Sequence, residues 1–260
     1  MICRTVAVYL NEQFGDLVSD ESLNDWSEYA TEWKRAIRGR YRSARPHGPL
    51  PKEIVDSFAI LDGVFMESTR PLPDSIDSQR FLFSGSNKAH GYAFYGITAP
   101  NGLLFIRGPY PGSFNDIQTV IQGDLASNVA NFTDGNGNQL KLLCDAIYPE
   151  NDYLASMPTT QQSHGRDAGE LAAIKKVRSA VEHSFSMLYN QWAYLYMCYK
   201  HTTNSLPRMH FRAGVLLLNA RTCIQRSNQV TRKRNGNMSS NAELFPAKVT
   251  VATALSMHAE

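Results

Sequence analysis

Apolar residues in the first half of the chain form short runs bounded by turn residues, which is the pattern of β-strands. The run at 57–66 predicts a first strand. Two further runs, at 90–98 and 103–107, are joined by a Pro-Asn-Gly turn. Because Asn and Gly tolerate positive φ angles, this turn predicts a β-hairpin. The three runs together predict an antiparallel meander.

After the hairpin the pattern predicts a short helix and two more strands. Ser113 or Asn115 would cap this helix, and Asp116 would lie in its first turn. The apolar run that ends at Asp145 predicts a fourth strand, and a short strand is predicted at 153–157. In a central sheet the first and fourth strands can be neighbours.

Helical spacing of apolar residues occurs in three longer segments, at 1–35, 168–200 and about 208–227. The basic stretch that follows the first segment runs into several prolines, and it predicts a loop. Beyond residue 230 the chain is polar, which predicts a disordered or loose tail.

Length and charge bound the class of protein. The chain has 260 residues, enough for one large domain or a domain with extensions, and its net charge is only +2. Positive charge is clustered locally, however. The segment 33–45 holds six Lys or Arg residues and no acid, and 232–234 forms a second cluster. Such clusters form either a solvated surface or a phosphate-binding one.

Cysteine spacing and hydropathy narrow the location of the protein. The four cysteines are widely spaced, without the intervals of a zinc or redox motif, so we expect reduced thiols. The amino-terminal sequence lacks the pattern of a signal peptide. No apolar run reaches the roughly 20 residues that span a bilayer. We therefore expect a soluble intracellular protein that does not bind membranes.

Three acidic residues lie in informative positions. Asp62 is inside the first apolar run, Asp145 closes the fourth predicted strand, and Glu182 lies on a long predicted helix. A carboxylate in an apolar strand is costly to bury unless something compensates its charge, and a divalent metal ion is the usual compensation where acids converge. The three acids therefore predict a site for two ions about 3.5–4 Å apart. This arrangement favours metal-dependent phosphoryl transfer on nucleic acid.

Seven short motifs in a fixed order carry a resemblance to a known family. They are Ile60–Phe65, Ser84–His90, Ala99–Leu103, Gly112–Asp116, Leu143–Pro149, Arg178–Phe185 and Leu218–Cys223. With these motifs, residues 57–230 resemble the DDE-superfamily endonucleases of the PIF/Harbinger transposase type. The resemblance implies an α/β, ribonuclease-H-like fold, in which a mixed sheet of three antiparallel and then parallel strands is flanked by helices.

The same resemblance implies roles for individual residues. Asp62, Asp145 and Glu182 match the catalytic acids, which would bind Mg²⁺ or Mn²⁺ and cleave DNA. Asp116 matches a fourth metal-binding acid, and we rank it lower because it lies at a helix start.

Three cationic side chains are candidates for contact with DNA. Lys88 and His90 lie beside the first hairpin strand, where they form either an exposed polar edge or a contact to the DNA backbone near the scissile phosphate. Arg178 precedes Glu182 by four residues and shares its helix face, so it either binds a phosphate or pairs with Glu182.

The predicted organisation is a nuclease domain at 57–230 between two extensions. Residues 1–56 form a helical segment with a basic linker that is too short for a complete helix-turn-helix, and 231–260 form a polar tail. A separate DNA-binding protein is therefore an expected partner. The alternative function is a catalytically inactive, transposon-derived protein that binds DNA or another protein. A weaker alternative is a phosphohydrolase acting on small nucleotides. If the substrate is DNA, the expected location is the nucleus. Otherwise we expect the protein in the cytoplasm.

Overall fold

A mixed sheet of six strands forms the centre of the computed structural model, which describes residues 29–71, 76–196 and 207–225. The strands are β1 (Ser57–Glu67), β2 (Phe83–Ser84), β3 (Ala89–Thr98), β4 (Leu104–Pro111), β5 (Lys141–Cys144) and β6 (Leu154–Ser156). The order across the sheet is β2-β3-β1-β5-β6, and β4 pairs with β3. β1 and β3 are antiparallel, as are β3 and β4, so the predicted meander is confirmed.

Parallel pairing begins on the other side of β1. β5 pairs with β1 in parallel, with Ile60 opposite Leu143, and β6 continues the parallel part of the sheet. The prediction that the first and fourth strands are neighbours is therefore confirmed. Helices flank this sheet, as the ribonuclease-H-like fold requires, and that predicted fold class is confirmed.

Eight helices are described in this part of the chain. They are α1 (Ala30–Ala44), α2 (Lys52–Val55), α3 (Ile76–Leu82), α4 (Asp116–Gln122), α5 (Leu125–Val129), α6 (Ala168–Gln191), α7 (Ala193–Tyr196) and α8 (Pro207–Gln225). The long predicted helix at 168–200 is interrupted at Trp192, between α6 and α7. The final helix is confirmed. The tail beyond 230 and the predicted helix at 1–28 lie outside the described residues.

The basic stretch at 33–45 is a helix, and the prediction of a loop there was wrong. Trp33, Ile37 and Tyr41 recur every four residues and are buried on one face of α1. The arginines between them are good helix formers, so apolar spacing and intrinsic propensity agree. The helix ends at Ala44, just before Pro46.

The cations of α1 bind mainly to other parts of the protein. Lys34 is buried and pairs with Asp56 at 2.9 Å and with Asp134 at 3.0 Å. The other contacts are Arg38 to the Val55 carbonyl, Arg40 to the Pro100 carbonyl, Arg42 to the Gly48 carbonyl and Arg45 to Asp167. Arg35 is the exposed member of the cluster, with a 3.7 Å pair to Glu32. The cluster therefore fastens α1 to the sheet and its loops. The predicted boundary at residue 56, between the amino-terminal extension and the nuclease domain, stays a prediction.

Two hydrophobic cores lie on opposite faces of the sheet. Ile60 of β1 packs with Val177 and Val181 of α6, whereas Leu61 packs with Val120 of α4. Side chains alternate between faces along a strand, so Asp62 shares the α6 face with Ile60. None of the described helices is long and apolar enough to cross a membrane.

A side chain of α8 covers the free edge of β4. The Asn219 amide oxygen accepts a hydrogen bond from the Leu104 N–H at 2.9 Å, and its nitrogen donates to the Leu104 carbonyl at 2.8 Å. Both bonds are buried. Asn219 therefore replaces the hydrogen bonds that a further strand would make.

We expect Asn219→Ala to lower the free energy of unfolding by roughly 3 kcal/mol, because it leaves two buried backbone groups without partners. Urea unfolding measures this change. Asn136→Ala, in the exposed turn before β5, is the matched control and should change stability by less than about 0.5 kcal/mol. Equal effects of the two substitutions would contradict the assigned role of Asn219.

Candidate active site

Asp62 lies in the middle of β1 and is largely shielded from water, with 20% of its side chain exposed. Its Oδ1 accepts a hydrogen bond from the Gly63 N–H at 2.9 Å, and its Oδ2 accepts one from Arg178 Nη1 at 3.1 Å. Burial nevertheless raises the pKa of Asp62 to about 6, against the opposing effects of Arg178 and the Gly63 amide. Asp116 and Asp145 add to the increase. The loss of hydration on burial therefore outweighs the two partners that favour the ionised form of Asp62.

The parallel pairing of β1 and β5 places Asp145 near Asp62. Leu143 lies opposite Ile60, and Asp145 is two residues beyond Leu143 just as Asp62 is two beyond Ile60. Asp145 follows the end of β5, where it is exposed, and its Oδ1 accepts the Ala146 N–H at 2.7 Å. The predicted approach of these two strand acids is therefore built into the register.

Asp116 reaches the same region from the opposite face of the sheet. It is the first residue of α4, which Asn115 caps through a reciprocal capping box with Gln118. Burial raises the pKa of Asp116, and the nearby Asp145 raises it further. The predicted helix start is confirmed, and Asp116 lies close enough to both strand acids to interact with them electrostatically.

Gly63 is a position in the candidate site that the sequence analysis missed. A Cβ atom at Gly63 would stand 2.2 Å from Asp116 Oδ1 and 2.7 Å from its Cγ. The missing side chain therefore makes room for the Asp116 carboxylate against β1. Glycine is unfavourable inside a strand and often marks a close approach, so the Asp-Gly pair within an apolar run was the available signal.

Arg178 connects Asp62 to Glu182. Arg178 and Glu182 lie one turn apart on α6. The Arg178 Nη2 donates a hydrogen bond to the Glu182 carboxylate, and its Nη1 donates one to the Asp62 carboxylate. Glu182 is 52% exposed, whereas Arg178 is mostly buried. Of the two interpretations of Arg178, pairing with Glu182 is observed, and the second pair to Asp62 was not predicted.

The acids have the right chemistry for a hard divalent cation. Asp62, Asp116 and Asp145 supply carboxylate oxygens. Their negative charges repel one another, and a bound divalent cation would neutralise them. As they stand, no three His, Cys, Asp or Glu side chains among the described residues are close enough together to hold a metal ion. Arg178 lies between Asp62 and Glu182 in this arrangement. Binding a metal would require these side chains to move closer together.

Lys88 and His90 lie away from the acids. Gly96 of β3 is opposite Asp62, whereas Gly91 is opposite Glu67 at the far end of β1. His90 lies six positions before Gly96 along β3, which is about 20 Å along a strand. The His90 ring packs against the Phe83 ring, with 5.2 Å between the ring centroids. Lys88 lies in the exposed turn before β3. The structure therefore does not place this pair beside the acids.

A ribonuclease-H-like sheet with one acid on its central strand and another just after that strand's parallel neighbour is the arrangement implied above for a nuclease domain. The sequence model of the DDE superfamily endonuclease family matches residues 61–219, which is more than half of the 260-residue chain. The chain therefore belongs to the DDE superfamily endonuclease family. The matched region contains Asp62, Asp116, Asp145 and Glu182. No curated protein and no solved structure shows a significant match to the chain.

Gly63→Ala tests the packing of Asp116 on β1. The added methyl group would overlap the Asp116 carboxylate, so we expect Asp116 to turn away and its pKa to fall toward the ordinary range. Carboxyl-detected NMR titration measures this pKa, with Asp116→Asn assigning the signal. Gly85→Ala, where nothing lies within 4 Å of the added Cβ, is the control. An unchanged Asp116 titration in Gly63→Ala would show that the close approach is absent in solution.

Asp62→Asn tests the charge at the centre of the site. Folding raises the pKa of Asp62 from about 4 to about 6, so the folded protein binds this proton more tightly than the unfolded chain does. The penalty for ionising Asp62 therefore grows as pH rises through this window and is complete above it. In the presence of chelator, we expect Asp62→Asn to stabilise the protein by roughly 2–3 kcal/mol at pH 7.5 and by almost nothing near pH 4.

Urea unfolding at the two pH values measures this difference, and Asp134→Asn provides a control of opposite sign. The hydrogen bond from Lys34, followed by those from Asn138, lowers the pKa of Asp134. Its charge therefore stabilises the fold above the unfolded pKa, and this contribution is lost as pH falls. We expect Asp134→Asn to destabilise the protein at pH 7.5. If both substitutions destabilise at that pH, the assigned charge balance at Asp62 is wrong.

Proposed function

We propose that this protein is a divalent-metal-dependent DNA endonuclease of the transposase type, related to the PIF/Harbinger transposases. Asp62, Asp145 and Glu182 would be its catalytic acids, and Asp116 a further metal ligand. The observation that best supports the proposal is the group of mutually repelling carboxylates on β1, after β5 and on α4. Such a group has little structural value without a cation to neutralise it.

Each acid has a distinct part in this proposal. When bound, Mg²⁺ or Mn²⁺ supplies positive charge to the phosphate and lowers the pKa of an attacking water. Asp62, on β1, and Asp145, just after β5, would hold the cation, and Asp116 would approach it over Gly63. Glu182 would complete the set after separating from Arg178, and its exposed position on α6 leaves it room to turn.

Arg178 would then be available to the substrate. Its guanidinium is mostly buried and directed at the acids, so on leaving Glu182 it remains at the centre of the site. A guanidinium binds phosphate oxygens through two parallel hydrogen bonds, and it would fix the scissile phosphate against the acids.

Lys88 and His90 would contact DNA away from the cleaved bond. Their distance along β3 favours a contact to flanking backbone phosphates, which position the duplex without reading its bases. Phe81 and Phe83, which precede Lys88 and His90 in the sequence, have exposed rings, and the Phe83 ring contacts the His90 ring. Target recognition would come from a separate DNA-binding protein, and the site of action would be the nucleus.

The alternative function is a catalytically inactive protein that binds DNA or another protein. One observation favours it: Arg178 already neutralises Asp62 and Glu182, and no three acids in the described residues are arranged to hold a metal ion. In this alternative, Arg178 holds the acids permanently, and metal has no effect on DNA binding.

Plasmid nicking in Mg²⁺ or Mn²⁺ separates the two functions. We expect metal-dependent nicking that falls more than about 100-fold in Asp62→Asn and in Glu182→Gln, since each removes charge that the transition state needs. Asp152→Asn and Glu150→Gln make the same chemical changes at exposed positions away from the acids and should retain activity. Asp62→Asn with full activity would refute the catalytic assignment. DNA binding without nicking, unchanged by chelator, would establish the alternative.

A further inference from the structure

Tyr148 has a buried hydroxyl group that the proposed mechanism does not use. The residue is 1% exposed, and among the described residues its hydroxyl has no hydrogen-bond partner. Its backbone is held firmly, because its N–H donates to the Asp145 carbonyl at 3.2 Å and its carbonyl accepts from Ser156 Oγ at 2.7 Å. A buried hydroxyl without a partner is costly and calls for an explanation.

The acids of the candidate site act electrostatically on this hydroxyl. Burial raises the pKa of Tyr148, and Asp116, then Asp62, Cys144 and Asp145, raise it further. The phenol therefore stays protonated, and it is a hydrogen-bond donor in the neighbourhood of carboxylates. Tyr41 provides a contrast, because its buried hydroxyl also lacks a partner but its charged neighbours are Arg45 and other residues outside the site.

Asp116 is the acid best placed to receive this donor. Asp62 already accepts hydrogen bonds from Gly63 and Arg178, and Asp145 accepts one from Ala146. The Asp116 carboxylate has no hydrogen-bond donor among the described residues, and it is the acid with the largest electrostatic effect on Tyr148. A buried donor without an acceptor and an acceptor without a donor therefore lie within electrostatic range of each other.

We infer that Tyr148 is a positioning residue of the metal site, whose hydroxyl donates a hydrogen bond to the Asp116 carboxylate when that carboxylate binds the metal ion. The inference rests on the proposed metal-dependent function. Carboxylates that bind metals are commonly oriented by hydrogen bonds from protein groups that do not contact the metal. Loss of such a partner typically weakens metal binding about 10–100-fold. Tyr148 would orient Asp116 from the core of the protein while Gly63 leaves space for it against β1.

Tyr148→Phe removes only the hydroxyl oxygen, and Tyr41→Phe is its matched control. In chelator, we expect both variants to unfold at the same urea concentration as the wild type or a higher one, because each loses an unpaired buried hydroxyl. We expect Mn²⁺ to bind Tyr148→Phe about tenfold more weakly, measured by calorimetric titration, and to bind Tyr41→Phe like the wild type.

Two further measurements identify the partner. In an Asp116→Asn background, Tyr148→Phe should cause no additional loss of Mn²⁺ affinity, since the acceptor carboxylate is gone. Mn²⁺ should also produce a near-ultraviolet tyrosine difference band in the wild type and in Tyr41→Phe, but not in Tyr148→Phe. Equal Mn²⁺ affinity in the two tyrosine variants, or an undiminished loss in the Asp116→Asn background, would overturn the inference.

Titration of the wild type with Mn²⁺ tests the role of Tyr148 separately from the proposed metal-dependent function. If the wild type binds Mn²⁺ and Asp62→Asn does not, the metal site stands, and the tyrosine variants alone decide the role of Tyr148. If the wild type does not bind Mn²⁺ at all, both the proposed function and the role of Tyr148 are refuted.

Discussion

The parallel pairing of β1 with β5 is the constraint on which the site depends. The register that sets Ile60 opposite Leu143 also carries Asp62 and Asp145 to the same edge of the sheet. A slip of one residue would turn the side chains of a strand to the opposite face and separate the two acids. Because apolar side chains on both faces of β1 pack into separate cores, such a slip would exchange side chains between the two cores and disrupt the packing of both, so packing protects the geometry of the acids.

Acids reach this edge from both sides of the sheet. α6 brings Arg178 and Glu182 over the face that carries Asp62, and α4 brings Asp116 over the other face, where Gly63 leaves room. β5 ends at Cys144, so the segment of β1 beyond Asp62 has no paired residue of β5 beside it. This segment is paired with β3 but open on the side of β5, and there groups from the two layers can approach each other.

All the strands except β2, and the element that carries each acid, could be predicted from the sequence, because apolar periodicity and turn residues are local signals. α1 was missed because the density of charge between positions 33 and 45 concealed a four-residue apolar repeat. The distance between His90 and the acids depends on strand register, which local patterns do not contain. The role of Gly63 and the double pairing of Arg178 depend on which helix covers which face. Such contacts between distant residues follow from the assembled fold.

The internal pairing of the α1 cations has a consequence for the way the protein meets a polyanion. Lys34, Arg38, Arg40 and Arg42 are already bound to carbonyl or carboxylate oxygens of the protein, so they are poorly available to displace counterions from a duplex. The steepness with which affinity falls as ionic strength rises reflects the number of phosphates that free cations neutralise. For this protein that slope would be shallower than a simple count of its lysines and arginines suggests.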